Sequence, residues 1–311
     1  MADLALIVPK IENRAIVDIT ATFFLIGFGI KSAIFPLYFW LPSSYHTPPS
    51  AVAAIFGGLL TKVGIYALFR VFTLIFIPNE FIRNLFVILA ILTILTGAFG
   101  MLIKTNVRRI FSYLIVCHIG FMIGGLGMYS KLALLGAVFY LIHDIMVKTN
   151  LFLIAGLIRQ MRGSMDLKKL GGLYGEYPKI SLLIAIVLFS LAGIPPLSGF
   201  WAKIYLLQGA FQTEHYFYAG ALILGSFMTL FVIAKFWSEV FWKKLPEPDM
   251  IEDKFKDLIG IRKIALILPI CILAASSLYI GLNAESIIQV ADRISSEMLN
   301  TEPYIQAVLG K

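Results

Sequence analysis

The chain has 311 residues, of which 59% are hydrophobic and only 14% charged, and its mean hydropathy is +0.88. That balance excludes an ordinary soluble globular domain and points to an all-α polytopic membrane protein. The formal net charge of +8 does not indicate a nucleic-acid partner, because Lys and Arg gather in short stretches between apolar segments, where they orient helices in a bilayer.

Residues 1–14, "MADLALIVPKIENR", place Asp3 ahead of a short apolar run broken by Pro9. This is not the basic, apolar, small-residue order of a signal peptide, and the stretch reads as an extracytoplasmic N-terminal segment. A spanning helix needs roughly 20 mostly apolar residues to cross ~30 Å of hydrocarbon, whereas barrel strands would be short and alternating. About eight helical spans satisfy this, over 15–42, 51–76, 82–103, 110–129, 132–159, 180–212, 217–241 and 264–284. The first and sixth are too long and contain prolines, Pro36 in one and Pro195 with Pro196 in the other, so both are expected to be discontinuous. The 163–179 stretch, "GSMDLKKLGGLYGEYPK", is a polar surface loop and 243–263 a charged one. Residues 15–284 thus form the membrane domain, and 285–311 are a C-terminal tail, amphipathic at best.

Alternate loops differ in basic content. Lys104, Arg108, Arg109, Arg159, Arg162, Lys168, Lys169, Lys179 and the lysines and arginine of 243–263 fall on one side. Lys10, Arg14, Arg83, Lys131, Arg293 and Lys311 fall on the other. Since basic loops are retained in the cytoplasm, both termini are expected outside. An external N-terminus without a signal peptide reads as the continuation of a longer chain.

Ionisable groups at bilayer depth cost about 2.5–3.5 kcal/mol on insertion scales and mark function where they cannot reach the interface. Lys31, Lys62 and Lys148 lie near the middle of their spans, and Lys203 follows the prolines of the sixth. His118 lies mid-span in "VCHIGFMIGGLG", and His143 with Asp144 precedes Lys148 in "LIHDIMVKTNLF". Lys235 is near the end of its helix, where its long stem can snorkel. Asp144 and Lys148 stand at i and i+4, a spacing that allows an internal ion pair. A desolvated amine beside other positive groups is poised to lose and regain a proton, so such a row outlines a proton relay. The four histidines show no ligand motif, and Cys117 and Cys271 have no metal-ligand spacing, so no metal site is expected. In the first broken span Lys31 precedes Pro36, and in the sixth Pro195 and Pro196 precede Lys203. Because these spans enter from opposite sides, the reversed order reads as an inverted-topology repeat.

The stretches "GFGIKSAIFPLYFWLPSSYHTPPSAVAAIFGGLLTKVGIYALFRVF", "FSYLIVCHIGFMIGGLG", "LIHDIMVKTNLFLIAGLI" and "LAGIPPLSGFWAKIYLLQGAF" resemble the D-subunit family of Mrp-type multisubunit Na+/H+ antiporters. That family is similar to the proton-pumping, antiporter-like subunits of respiratory complex I. The resemblance implies an inverted-repeat fold of fourteen spans, with this chain beginning before the seventh, and a secondary transporter subunit rather than an enzyme. It implies that Lys31, Lys62, His118, His143, Lys148 and Lys203 carry protons, with helix breaks at Pro36, Pro195 and Pro196. It further implies other antiporter subunits as partners, Na+ (with K+ or Li+ as alternatives) as the exchanged cation, and a prokaryotic plasma membrane as location. The family's glutamate on its fifth helix has no counterpart here, so balancing carboxylates are expected from upstream helices and neighbouring subunits. No nucleotide, flavin or quinone motif is present, and no cofactor is expected.

Three other readings remain open. One is a proton-pumping subunit of complex I or a membrane hydrogenase, against which the carboxylate-free "SSYHTPPSA" loop weighs. Another is a membrane enzyme using His143 and Asp144, and the last is a channel or scaffold whose lysines only brace helices.

Overall fold

Long apolar runs in a bilayer must satisfy their backbone internally, and this chain does so with helices. The computed structural model describes residues 1–246 and 253–310; 247–252 of the charged loop, and Lys311, lie outside the described residues. A short helix α1 (Ala2–Ile7) precedes α2 (Arg14–Ser32). Helix α2 stops at Ala33, which takes a left-handed φ of 59°, and the chain turns through Pro36 before restarting as α3 (Trp40–Ser44). The first long segment is therefore two pieces. Backbone groups freed at its break are recovered by side chains: the Thr93 hydroxyl accepts from the Phe35 N–H at 3.0 Å, and the Trp40 indole donates to the Ile30 carbonyl at 2.9 Å.

Helix α4 (Ser50–Leu74) is continuous but widens into a π turn over Phe56–Leu60. Then come α5 (Glu80–Ile103), α6 (Val107–Met128) and α7 (Lys131–Arg162), each opened by a side-chain cap from Asn79, Asn106 or Ser130. Such caps satisfy amide donors that the first turn leaves unpaired. Helix α7, with 32 residues, is about 48 Å long, more than the hydrocarbon thickness, and it ends at Gly163 with φ 67°. The sixth apolar segment is broken as expected, into α9 (Pro178–Ala192) and α10 (Ser198–Gln212), after a short α8 (Leu173–Glu176). Each break contains a cis X–Pro peptide, Phe35–Pro36 and Pro195–Pro196. The remaining spans are α11 (Tyr216–Trp242) and α12 (Ile261–Leu282).

Helix α6 is buried almost all round and forms the axis of the bundle. Its closest neighbour is α5, and glycines set the approach: a methyl on Gly120 would stand 2.7 Å from the Ala90 carbonyl oxygen and 2.6 Å from Ile94. In lipid, where apolar surfaces gain little from leaving tails for each other, such close backbone contact is a main source of helix association. Helices α2 and α12 are the least covered and present Phe23, Ile16, Ile264 and Ile272 outward.

The tail is more than a loose amphipathic end. Helix α13 (Ala284–Leu299) packs on α7, where Lys131 pairs with Asp292 at 2.9 Å. Helix α14 (Glu302–Leu309) rests on α1, and Arg70 stacks on the Tyr304 ring at 4.0 Å, so both ends of the chain meet on one face. On the opposite face the basic loops knit together. Val107 and Leu167 donate to Met165 and Thr105, Gly172 donates to the Lys243 carbonyl, and Arg162 pairs with Glu176 at 2.8 Å. Lys256 joins the same Glu176 carboxylate at 3.1 Å, and the Tyr177 hydroxyl donates to Asp253 at 2.7 Å.

Two outcomes follow from this packing. Gly120→Leu should lower the stability of the detergent-purified protein by about 1–3 kcal/mol or prevent its recovery, whereas Gly220→Leu, with open space around it, should leave thermal unfolding unchanged. At Glu176, partial burial alone would raise the carboxyl, and the Arg162 and Lys256 hydrogen bonds overcome it, holding the group below its ordinary value. A depressed carboxylate stabilises above its unfolded value of ~4.3 and loses that contribution as pH falls through the lower folded value. Limited proteolysis of the 163–177 loop should therefore stay slow from neutral pH to below that range and accelerate only under stronger acid. Glu176→Gln should make cleavage faster and flatten its pH dependence.

Candidate functional site

The site begins at the π turn of α4. Gly57 and Gly58 leave no side chain between this turn and α7, and they lie against Phe152 and Thr149 respectively. Lys62, one turn on, curls back so that its Nζ donates to the Gly57 carbonyl at 2.8 Å and meets the Asp144 carboxylate, also at 2.8 Å. Asp144 lies on α7, fully buried, and is shared: its second oxygen stands 3.3 Å from His118 Nδ1 on α6 and 3.8 Å from Lys148 Nζ. The other ring nitrogen of His118 meets the Thr229 hydroxyl of α11 at 3.2 Å. One carboxylate thus binds α4, α6 and α7 together, with two amines and an imidazole around it.

The i to i+4 spacing singles out Lys148 as the partner of Asp144, but the closer ion pair is with Lys62. Along one helix the i, i+4 distance is fixed by the backbone, whereas the glycine pair lets α4 bring its lysine right up to the carboxylate.

His143 precedes Asp144 yet serves the other half of the bundle. One residue along an α-helix turns the side chain by about 100°, so while Asp144 faces α4 and α6, His143 faces α10. Its Nδ1 meets the Ser198 hydroxyl at 2.8 Å, and Ser198 meets Ser190 at 2.8 Å across the second break. Tyr140, one turn earlier, stands between the two groups with its ring edge-on to His118 and to His143, each at 5.5 Å. Its hydroxyl, His143 Nε2 and Lys148 Nζ are buried without a hydrogen bond from the described residues.

Lys203 shows what the two breaks have in common. From the second turn of α10 its Nζ reaches back to the Ala192 carbonyl at 2.8 Å and the Leu191 carbonyl at 3.4 Å, the unpaired end of α9. Lys31 sits in the last turn of α2, at the equivalent carbonyl end of the first break. The reversed lysine and proline order is accordingly no sign of inversion, since an inverted repeat keeps residue order along the chain. Both breaks instead carry a lysine near the carbonyl end of a half-helix, where the aligned peptide dipoles favour a cation, and at the second its ammonium bonds the carbonyls directly. Pro36 and the Pro195–Pro196 pair lie in the turns that separate the halves.

Lys31 is the residue not brought together with the rest. It is exposed in a shallow apolar cleft of α2 beside Phe23, Phe24, Gly27 and Phe28, with no carboxylate partner among the described residues. Sequence reasoning missed Thr93, Tyr140, Ser190, Ser198 and Thr229, all single small or aromatic polar residues within apolar runs. Only "FGGLLTK", with its glycine pair just before a lysine, carried a local signal.

The sequence pattern of the NADH:quinone oxidoreductase/Mrp antiporter transmembrane family matches residues 1–229. The chain is 43% identical over 310 residues to the D subunit of the Na(+)/H(+) antiporter of Alkalihalophilus pseudofirmus, covering 99% of this chain and 62% of that protein. It is 38% identical over 313 residues to the same-named protein of Bacillus subtilis, with the same two coverages. Among solved structures, a chain of the Mrp complex from Dietzia sp. DQ12-45-1b superposes with a TM-score of 0.86 at 28% identity, over 96% of this chain and 62% of that one. The chain therefore spans about three fifths of the length of the proteins it matches.

A buried carboxylate holding two amines is stable only as a set, because removing one member leaves uncompensated charge in a dry interior. Asp144→Asn should cost about 3–5 kcal/mol, read as a fall in the thermal unfolding midpoint. The triple variant Asp144→Leu/Lys62→Met/Lys148→Met, which removes the carboxylate with both amines, should recover more than half of that loss, and equal destabilisation in both would contradict a shared ion pair.

Proposed function

Since this chain belongs to the NADH:quinone oxidoreductase/Mrp antiporter transmembrane family, we propose that it is a proton-translocating subunit of a multisubunit Na+/H+ antiporter in a bacterial plasma membrane. The observation that carries this reading is the sharing of Asp144 by Lys62, Lys148 and His118. A single carboxylate balances a single ammonium. A second proton on the same group leaves net positive charge in a low-dielectric interior, so its arrival at one member favours departure from another. Protons then move by exchange among nitrogens held around one anion, with no large displacement of the chain.

The route runs from Lys62 through the Asp144 group to His118 and Lys148, and continues on the other side of α7 at His143. There Ser198 and Ser190 lead to the second break, where Lys203 holds the carbonyl end of α9. Hydroxyls suit this passage because each can donate and accept. Lys31 is the entry station, and its balancing carboxylate comes from a segment or subunit outside the described residues. An exposed amine ringed by phenylalanines at bilayer depth calls for such a partner. The knitted basic loops face the cytoplasm, and both described ends of the chain face outward.

The test is Na+-driven dissipation of a pH gradient in inverted vesicles carrying the assembled complex. Lys62→Ala and Lys203→Ala should each slow the exchange per assembled complex about 100-fold, the scale of a lost proton-transfer group, and Lys62→Ala should also lower the amount of complex recovered. Lys235→Gln, altering an exposed residue about two turns before the end of α11, should leave transport intact. Normal exchange in correctly assembled Lys62→Ala and Lys203→Ala complexes would leave helix bracing as the better account of the lysines.

A further inference from the structure

A second polar cavity lies away from the relay, at the end of the bundle where the basic loops gather. Its volume is about 450 Å³, and its walls come from the start of α4 (Pro49, Ser50), the start of α6 (Arg108) and the last turns of α7 (Gly156, Arg159, Gln160), with Lys254 at the rim. Three cationic side chains line it, and among the described residues no carboxylate does.

Arg108 and Arg159 differ in how they are held. Arg108 is 2% exposed; its guanidinium donates to the His46 and Pro48 carbonyls and, at 2.6 Å, to the Ser50 hydroxyl. It is a fixed charge in the wall that also ties down the loop joining the first broken span to α4. Ser50 accepts that bond, so its own O–H is left to donate. Arg159 is exposed, and while its carbonyl accepts from the Gly163 N–H, its side chain makes no hydrogen bond or ion pair with the described residues. Its place in the last turn of α7 suits the helix dipole, but the dipole does not account for a second arginine and a polar hollow beside it. The first turn of α4 has no side-chain cap, which adds amide donors on the same side.

We propose that this cavity binds a phosphate oxyanion, the headgroup of an anionic phospholipid at the membrane interface. A planar guanidinium matches two phosphate oxygens, and an interhelical basic pocket at the ends of spans lies at headgroup level. The Arg159 fork grips the phosphate, Ser50 and Gln160 donate to its remaining oxygens, and Arg108 supplies fixed positive charge. The occupied site braces the loop that carries His46 and, through α4, the approach of Lys62 to Asp144.

The assembled complex is placed in phosphatidylcholine vesicles alone, with phosphatidylglycerol, or with inorganic phosphate, and its thermal unfolding midpoint is followed as each ligand is titrated. Phosphatidylglycerol should raise the midpoint saturably. Arg159→Gln should weaken the apparent affinity at least about tenfold, the scale of a charge-assisted hydrogen bond, whereas Lys168→Gln, on an exposed loop of the same face, should not. Stabilisation by inorganic phosphate alone would assign the site to a free anion and overturn the lipid. No shift with either ligand, or an equal loss in Arg159→Gln and Lys168→Gln, would overturn the site itself. Because the readout is stability, failure here is separable from failure of the transport reading.

Discussion

Everything central to this bundle is arranged around one buried carboxylate. Asp144 is the sole acidic side chain that meets Lys62, Lys148 and His118 among the described residues, and those three come from α4, α7 and α6. In water such a pairing would contribute little. Inside the bundle the cost of desolvating each charge is several kcal/mol, which close contact and hydrogen bonds must offset. The surrounding architecture follows from that demand: the glycine pair and π turn of α4 remove the side chains that would hold Lys62 away, and the Gly57 carbonyl accepts a hydrogen bond from the ammonium that pairs with Asp144. A π turn inside a helix is unfavourable unless something local repays it, and such turns recur at functional sites.

The two broken helices answer a related problem. A half-helix that ends within the membrane exposes carbonyls to a medium that cannot hydrogen-bond them. At the second break Lys203 itself takes the carbonyls of Leu191 and Ala192, and at the first the Trp40 indole and the Thr93 hydroxyl recover backbone groups. A titratable amine at such a carbonyl end is held by peptide dipoles as well as by any carboxylate. Its charge can then change without leaving an entirely unsatisfied backbone, which an isolated buried ion pair does not permit.

How much of this was legible beforehand depends on the distance over which each feature is encoded. The spans were readable because bilayer thickness fixes their length, and the two discontinuous helices because proline removes a donor and cannot sit quietly mid-span. The candidate residues Lys62, His118, His143, Lys148 and Lys203 stood out because charge in an apolar run is costly. Their partners did not stand out. Lys62 and Asp144 are joined by tertiary approach, which local spacing cannot express, so the i to i+4 rule selected Lys148. Thr229 and Ser198 look like ordinary small residues of membrane helices until packing places them beside an imidazole. Lys31 was legible as a charge in a span, and its lack of a partner among the described residues fits the balancing carboxylate that the family resemblance led us to expect from elsewhere.

Helix α7 turns these separate contacts into one device. His143 and Asp144 are consecutive on a rigid rod of about 48 Å, yet one touches Ser198 beside the second break and the other touches Lys62 near the first. A rotation or slide of α7 that lengthens the Lys62 contact must therefore alter the His143 contact too. Tyr140, wedged edge-on between the two imidazoles, lies where such a movement would be felt first. Because both groups are carried by one rigid helix, the two contacts are geometrically dependent on each other.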